Sequence, residues 1–159
     1  MSRERQDLFS RSALAAFRLN GQFLSVAEEL AKPAGLTAAW WQVLGAVLGE
    51  PLPVSGIARV MGITRQSVQR IADLLVEKGL AEYLPNPAHR RAKLLSPTDE
   101  GRAAIARIGP GHAAFADRLA QALGEAGLAE TVRVLERLSA VLDGLAAPVT
   151  ETASAVTEP

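Results

Sequence analysis

Apolar residues recur at helical spacing along most of the chain. From about Arg5 to Ala31, Leu8, Phe9, Phe17, Leu24 and Leu30 mark a long first helix, which Pro33 and Gly35 end. Thr37 is placed to cap a second helix, Ala38 to about Leu48, with Trp41, Leu44 and Leu48 on one stripe. Gly49-Glu50-Pro51 breaks it, and Leu52-Pro53-Val54 leaves room only for a short extended piece. Ser55 is the expected cap of a short third helix reaching Met61. Gly62 interrupts, and Thr64 caps a fourth helix from Arg65 to about Lys78, stopped by Gly79. The only hairpin signal follows: Leu80 to Leu84 extended, a turn through Pro85-Asn86-Pro87-Ala88-His89, and a return from Arg91 to Leu95. Thr98 then opens a fifth helix with Asp99 and Glu100 at its positive end. Gly109-Pro110-Gly111 should kink or break it, and apolar spacing resumes at Phe115, Leu119 and Leu123. Gly124 and Gly127 bracket another expected break. A last helix runs from about Ala129 to Leu145, with Val132, Leu135, Leu138 and Leu142 on one stripe, and Pro148 to Pro159 reads as a disordered tail.

Composition narrows the chemistry. The 159 residues suit one compact domain, and 48% of them are hydrophobic. There is no cysteine, which excludes disulfides and thiolate metal sites, and His89 and His112 are too few for a zinc centre built on histidine. No metal or other cofactor is expected. No apolar run reaches the roughly 20 residues of a membrane helix. The opening Met1-Ser2-Arg3-Glu4-Arg5-Gln6-Asp7 lacks the apolar stretch of a signal peptide, so the expected location is the cytoplasm. Net charge is zero, yet it is unevenly spread. Ser55 to Lys93 carries seven basic residues against three acidic ones, and the rest of the chain ten against fourteen. A basic centre between acidic flanks points to a polyanion met by one face.

The stretch Val54 to Asp73 gives that face a form. Two helices that cross steeply need a small residue at their contact and a tight turn between them, and Ala58 and Gly62 supply both. Ile57, Met61, Ile63, Val68 and Ile71 would lock the pair onto a core. Thr64, Arg65, Gln66, Gln69, Arg70 and Asp73 then face outward, and Arg and Gln are the side chains that bond bidentately to guanine and adenine edges. A solvated amphipathic pair would look alike in isolation. The loop with His89, Arg90, Arg91 and Lys93 shifts the balance, because it suits minor-groove and phosphate contact directly after a recognition helix. The predicted fold class is mainly α with a small β-wing: a winged helix-turn-helix over about 50–97, flanked by dimerisation helices at about 5–32 and 99–147 of a single domain, 1–147. The predicted DNA-contacting set is Ser55, Thr64, Arg65, Gln66, Ser67, Gln69, Arg70, His89, Arg90, Arg91 and Lys93. The stripes on the terminal helices (Leu8, Phe17; Leu135, Leu138, Leu142) exceed what the winged part can cover, which predicts a homodimer.

Leu36-Thr-Ala-Ala-Trp-Trp-Gln-Val-Leu44 resembles the second-helix opening of the MarR family of bacterial regulators. Val76-Glu-Lys-Gly-Leu80 is similar to the family's recognition-helix ending, and Asn86-Pro-Ala-His-Arg-Arg-Ala-Lys93 with Thr98-Asp-Glu-Gly101 to its wing and exit. The resemblance implies a triangular homodimer with interlocked terminal helices, bound to double-stranded DNA. It also implies repression of nearby genes, relieved by a small ligand held between the dimer and DNA-binding parts. Two positions depart from the pattern. His89 stands where many members carry an aspartate that orients the arginine two positions on, here Arg91. Pro97 stands where leucine is usual and should stiffen the exit from the wing.

Trp41 is expected to fill the core. Trp40 points about 100° away from it on a helix, and either lines a crevice for an aromatic or apolar effector or covers the first helix. Asn20 and Phe23 are candidates for the same crevice, although a surface Asn has no need of one. His112, at a helix restart, has no evident chemistry. No nucleophile triad, paired carboxylates or phosphate-binding glycine loop can be assembled. A helical-bundle enzyme holding an apolar substrate on its tryptophans, or a ligand-binding protein or adaptor without DNA affinity, would leave the basic wing unexplained.

Overall fold

A computed structural model describes residues 2–153, with side chains to Ala146. The order is α1 (Ser2–Ala31), a 3-10 turn (Lys32–Ala34), α2 (Ala38–Ala46), β1 (Leu52–Pro53), α3 (Val54–Met61), α4 (Arg65–Glu77), β2 (Ala81–Leu84), β3 (Leu94–Pro97), α5 (Asp99–Leu123) and α6 (Glu125–Ala153). The fold is mainly helical with one small antiparallel sheet, the winged helix class expected. Of the predicted tail, 148–153 continue α6, and 154–159 lie outside the described residues.

The helix starts follow from short-range chemistry. Thr37 Oγ1 accepts from Trp40 N–H at 3.1 Å, and Glu28 adds a second cap by accepting from Ala38 N–H at 3.0 Å. Thr64 Oγ1 accepts from Ser67 N–H at 3.2 Å, as predicted. Gly62, at φ 67°, closes α3 by donating to Ala58 O at 2.9 Å, so the two helices meet through the turn the sequence indicated. Ser55 is not a cap: α3 starts one residue earlier, after an extended Pro53 whose fixed φ enters the helix directly.

The core of the first compact unit, 1–112, is built from Val43 and Leu44 of α2, Val47 just after it, Ile57 of α3, Val68 and Leu75 of α4, and Leu95 of β3, all fully buried. Ala104 and Ile108 of α5 join them. Two residues expected inside lie further out. Met61 is half-buried and Ile63, in the turn between α3 and α4, is 40% exposed.

The sheet has the order β1-β3-β2. Leu52 pairs with Leu95 and Leu84 with Leu94, which makes the short piece before α3 the outer strand of the wing. Pro53 is tolerated there because an edge strand has one side free of ladder bonds. Pro97 closes β3 opposite Ala81.

One expected break is absent and another is narrower than expected. α5 continues as one helix through Gly109-Pro110-Gly111. An interior proline costs about 3 kcal/mol, yet burial of Ala104 and Ile108 holds the preceding turns. Beyond it, a Cβ added at Gly111 would lie 3.4 Å from Leu30 Cδ2, so the helix passes close to α1 there, and His112 meets Trp41 edge to face, centroids 5.8 Å apart. The chain does break at Gly124, but Gly127 lies inside α6, which begins at Glu125 rather than Ala129. The second unit, 113–159, holds the end of α5 and α6.

Candidate nucleic-acid interface

The 3.6-residue period of α4 sorts its side chains into two faces. Val68, Ile71, Ala72 and Leu75 are buried, while Arg65, Gln66, Gln69, Arg70 and Asp73 are exposed. The capping hydroxyls are already engaged, since Thr64 Oγ1 also lies 2.9 Å from Ser67 Oγ. Their part is to set the start of the helix and thereby the position of Arg65 and Gln66.

The wing is organised at its tip by its own polar groups. Asn86 Oδ1 accepts from Ala88 N–H at 3.1 Å, Asn86 O from His89 N–H at 3.2 Å, and His89 O from Ala92 N–H at 3.3 Å. These turns separate the two consecutive arginines. Arg91 and Lys93 line a groove of about 580 Å³ with Ser55, Arg65, Gln66 and Gln69, between α4 and the wing. Arg90 faces a second hollow of about 300 Å³ with Asn86 and Lys93. Tyr83 lines both. Arg70 and His89 are exposed but line neither groove. Six of the eleven predicted residues therefore meet in one concave surface bearing three cations and two amides.

That surface also contains a hydrogen-bond network that joins α4 to β2. Gln69 Nε2 donates to Asp73 Oδ1 at 3.0 Å and to Tyr83 Oη at 2.9 Å, and Tyr83 donates its hydroxyl to the same Oδ1 at 2.6 Å. Burial, reinforced by the Asp73 carboxylate, pushes the Tyr83 pKa up to about 12, so the hydroxyl keeps its proton as a donor. Because the folded value exceeds the unfolded one, this contribution to stability is complete below about pH 10 and lost as pH rises through about 12. The sequence puts Asp73 on the outward face, and the i, i+4 spacing of Gln69 and Asp73 is a signal for their bond. Nothing local ties Tyr83 to them.

The ion pairs among the described residues are exposed helix pairs, Arg11–Asp7, Lys32–Glu29 and Arg133–Glu130, so no carboxylate holds Arg91. The four effector candidates divide. Trp40 and Trp41 are half-buried against the core, and Trp41 forms its edge rather than its interior, contrary to expectation. Asn20 and Phe23 are exposed on α1, and none of the four lines either hollow above. Among the described residues, no cluster of His, Asp and Glu could hold a metal, and no helix is long and apolar enough to cross a membrane.

Comparison with known proteins gives this surface a context. Residues 34–92, which span α2 to the wing, match a family model described as MarR family. An uncharacterized protein of Mycobacterium bovis is 38% identical over 136 residues, covering 86% of this chain and 95% of its own. The crystal structure of a MarR family transcription regulator superimposes with a TM-score of 0.72 at 21% identity, over 90% of this chain and 95% of that one. The transcriptional repressor CouR, solved bound to a 23-mer DNA duplex, gives 0.70 at 28% identity, over 79% and 89%.

Proposed function

The chain belongs to the MarR family and has the fold of its transcription regulators, and from that premise we propose that it is a sequence-specific repressor of double-stranded DNA. It binds an inverted-repeat operator as a homodimer in the cytoplasm, with recognition helices about 34–36 Å apart, one turn of DNA. A small aromatic or apolar effector releases it. The observation that carries this reading is the groove in which Arg65, Gln66 and Gln69 of the recognition helix share one wall-to-wall space with Arg91 and Lys93 of the wing. Amides and guanidinium groups suit base edges, and the neighbouring cations suit phosphate. CouR, a repressor bound to DNA, supports the partner and the direction of control.

Electrophoretic titration against random duplex and against the region upstream of its gene tests this. Affinity should fall with log salt at a slope near −0.9 per phosphate neutralised, and Arg65→Ala should weaken the selected site by about 1–3 kcal/mol while sparing random duplex. Salt-insensitive binding, or none, would favour an adaptor without DNA affinity. Quenching of tryptophan emission by a planar apolar compound that also releases DNA is the result expected of the effector, with Asn20, Phe23, Trp40 and Trp41 as its candidate contacts. Quenching without release would remove the effector from the reading.

The wing supplies a second test. With histidine at position 89, Arg91 has no acid to hold it, so it enters the DNA complex at a cost in side-chain freedom. His89→Asp should tighten operator binding about tenfold, the scale of one charge-assisted hydrogen bond. The gain should vanish in the His89→Asp/Arg91→Ala double variant. Arg90, facing the other hollow, should leave it intact when replaced. Weaker binding by His89→Asp alone would show that the added negative charge, and not the orientation of Arg91, governs the wing.

A further inference from the structure

The hydrogen bonds around Gln69 fix which way its amide is turned. The Asp73 carboxylate only accepts, so the atom 3.0 Å from its Oδ1 is Nε2. Tyr83 donates its hydroxyl proton to the same Oδ1 at 2.6 Å, and its oxygen, 2.9 Å from Nε2, has only lone pairs left to offer. Turning the amide over would set Oε1 against both oxygens with no proton between them. The two oxygens lie about 50° apart as seen from Nε2, whereas the two amide protons diverge by about 120°. One proton therefore serves both oxygens in a shared, three-centre bond. The other proton and Oε1 stay outside the network. Gln69 thus meets a ligand with one donor and one acceptor.

We infer that Asp73 and Tyr83 are positioning residues that make Gln69 discriminate adenine from guanine. The inference rests on the regulator reading above and deepens it. Adenine presents N7 as an acceptor and N6 as a donor, which match one N–H and Oε1. Guanine presents two acceptors, N7 and O6, and answering both takes both amide protons. One of the two is committed to the carboxylate, so guanine would leave Oε1 facing an acceptor. A glutamine free of such neighbours can turn its NH2 group to guanine and tolerates either purine. The Tyr83 bond matters as well, because a short charge-assisted bond holds the carboxylate in place beside Gln69. The aspartate comes from α4 and the tyrosine from β2, so the recognition helix and the sheet jointly set the base preference.

Selection of binding sites from a random duplex pool tests it, with full-length native protein, Gln69→Ala, Asp73→Ala and Tyr83→Phe. The position at which Gln69→Ala loses preference lies beneath Gln69, and the ratio of adenine to guanine there is the readout. Native protein should favour adenine about tenfold or more. Asp73→Ala should bring the ratio within about threefold, because a lone tyrosine hydroxyl can either donate to the amide or accept from it and so permits both orientations. Tyr83→Phe should fall between the two, since Asp73 then holds the amide unaided, and it keeps the test open if Asp73→Ala folds poorly. Loss of the Asp73 charge raises affinity for every duplex alike and cancels in the ratio. General damage to the fold would flatten the preferences at positions read by other residues, which should instead keep theirs. The same ratio in native protein and both network variants, guanine ahead of adenine in native protein, or a Gln69→Ala protein that loses preference nowhere overturns the inference alone. A native protein that enriches no sequence overturns the regulator reading and the inference with it.

Discussion

Gly101→Ala is expected to destabilise the protein by about 3 kcal/mol and to lower its melting temperature by about 10 °C. Gly101 is buried in the first turn of α5. A Cβ built there collides with the carbonyl oxygen of Leu80 and reaches that residue's carbonyl carbon at 3.0 Å and Cα at 3.5 Å. These are backbone atoms, so no side chain can rotate away. Leu80 is moreover held in place: its carbonyl accepts from Thr98 N–H at 3.1 Å, and Thr98 Oγ1 donates to Gly79 O at 2.6 Å while accepting from Gly101 N–H at 3.1 Å. Thr98 and Gly101, at the start of α5, thus clasp the exit of α4, and alanine must pull the two apart. Gly45→Ala is the control. It lies exposed in α2 with open space around its Cβ position, and should be neutral or stabilising by up to about 1 kcal/mol. Thermal melts at equal protomer concentration decide it, since dimerisation would make stability concentration-dependent. A loss below about 1 kcal/mol for Gly101→Ala would mean that the clasp yields, contrary to the packing argument.

The second large effect is expected on assembly. α1 leaves Phe17 72% exposed, with Phe9 and Phe23 also open to solvent, and α6 exposes Leu135, Leu138, Leu142 and Leu145 at helical spacing. A monomer seldom carries continuous apolar faces of this kind, and burial of each such side chain is worth about 1.5–3 kcal/mol. Leu138→Glu/Leu142→Glu should therefore convert the protein to a monomer in sedimentation. Operator affinity should fall by about 10²–10⁴, the factor lost when the second half-site no longer binds within the same complex. Neither leucine belongs to the buried core, so the winged part should keep its own melting transition. Native protein that sediments as a monomer at micromolar concentration would end the dimer reading, and with it the expected operator symmetry.

The helical pattern, the two threonine caps, the αL turn at Gly62 and the basic wing were all legible in the sequence, as was the family. Each depends on residues within about one helical turn of one another, where backbone geometry leaves few choices. The outward face of α4 was legible for the same reason, and the structure places Arg65, Gln66 and Gln69 on it. Other features were decided only in three dimensions. Pro110 reads as a break by any local rule, and α5 continues because Ala104 and Ile108 are buried before it and Leu30 and Trp41 pack beyond it. Leu52 and Pro53 become a strand only because β3 lies beside them. Gly101 matches a motif in the sequence, but its reason, the backbone of Leu80 twenty-one residues earlier, belongs to the fold. Gln69 shows the division most clearly. Sequence determined that an amide faces outward on the recognition helix. Which partners that amide finds was settled by packing, which brings Tyr83 across from β2, because hydrogen bonds follow proximity in the fold rather than order along the chain.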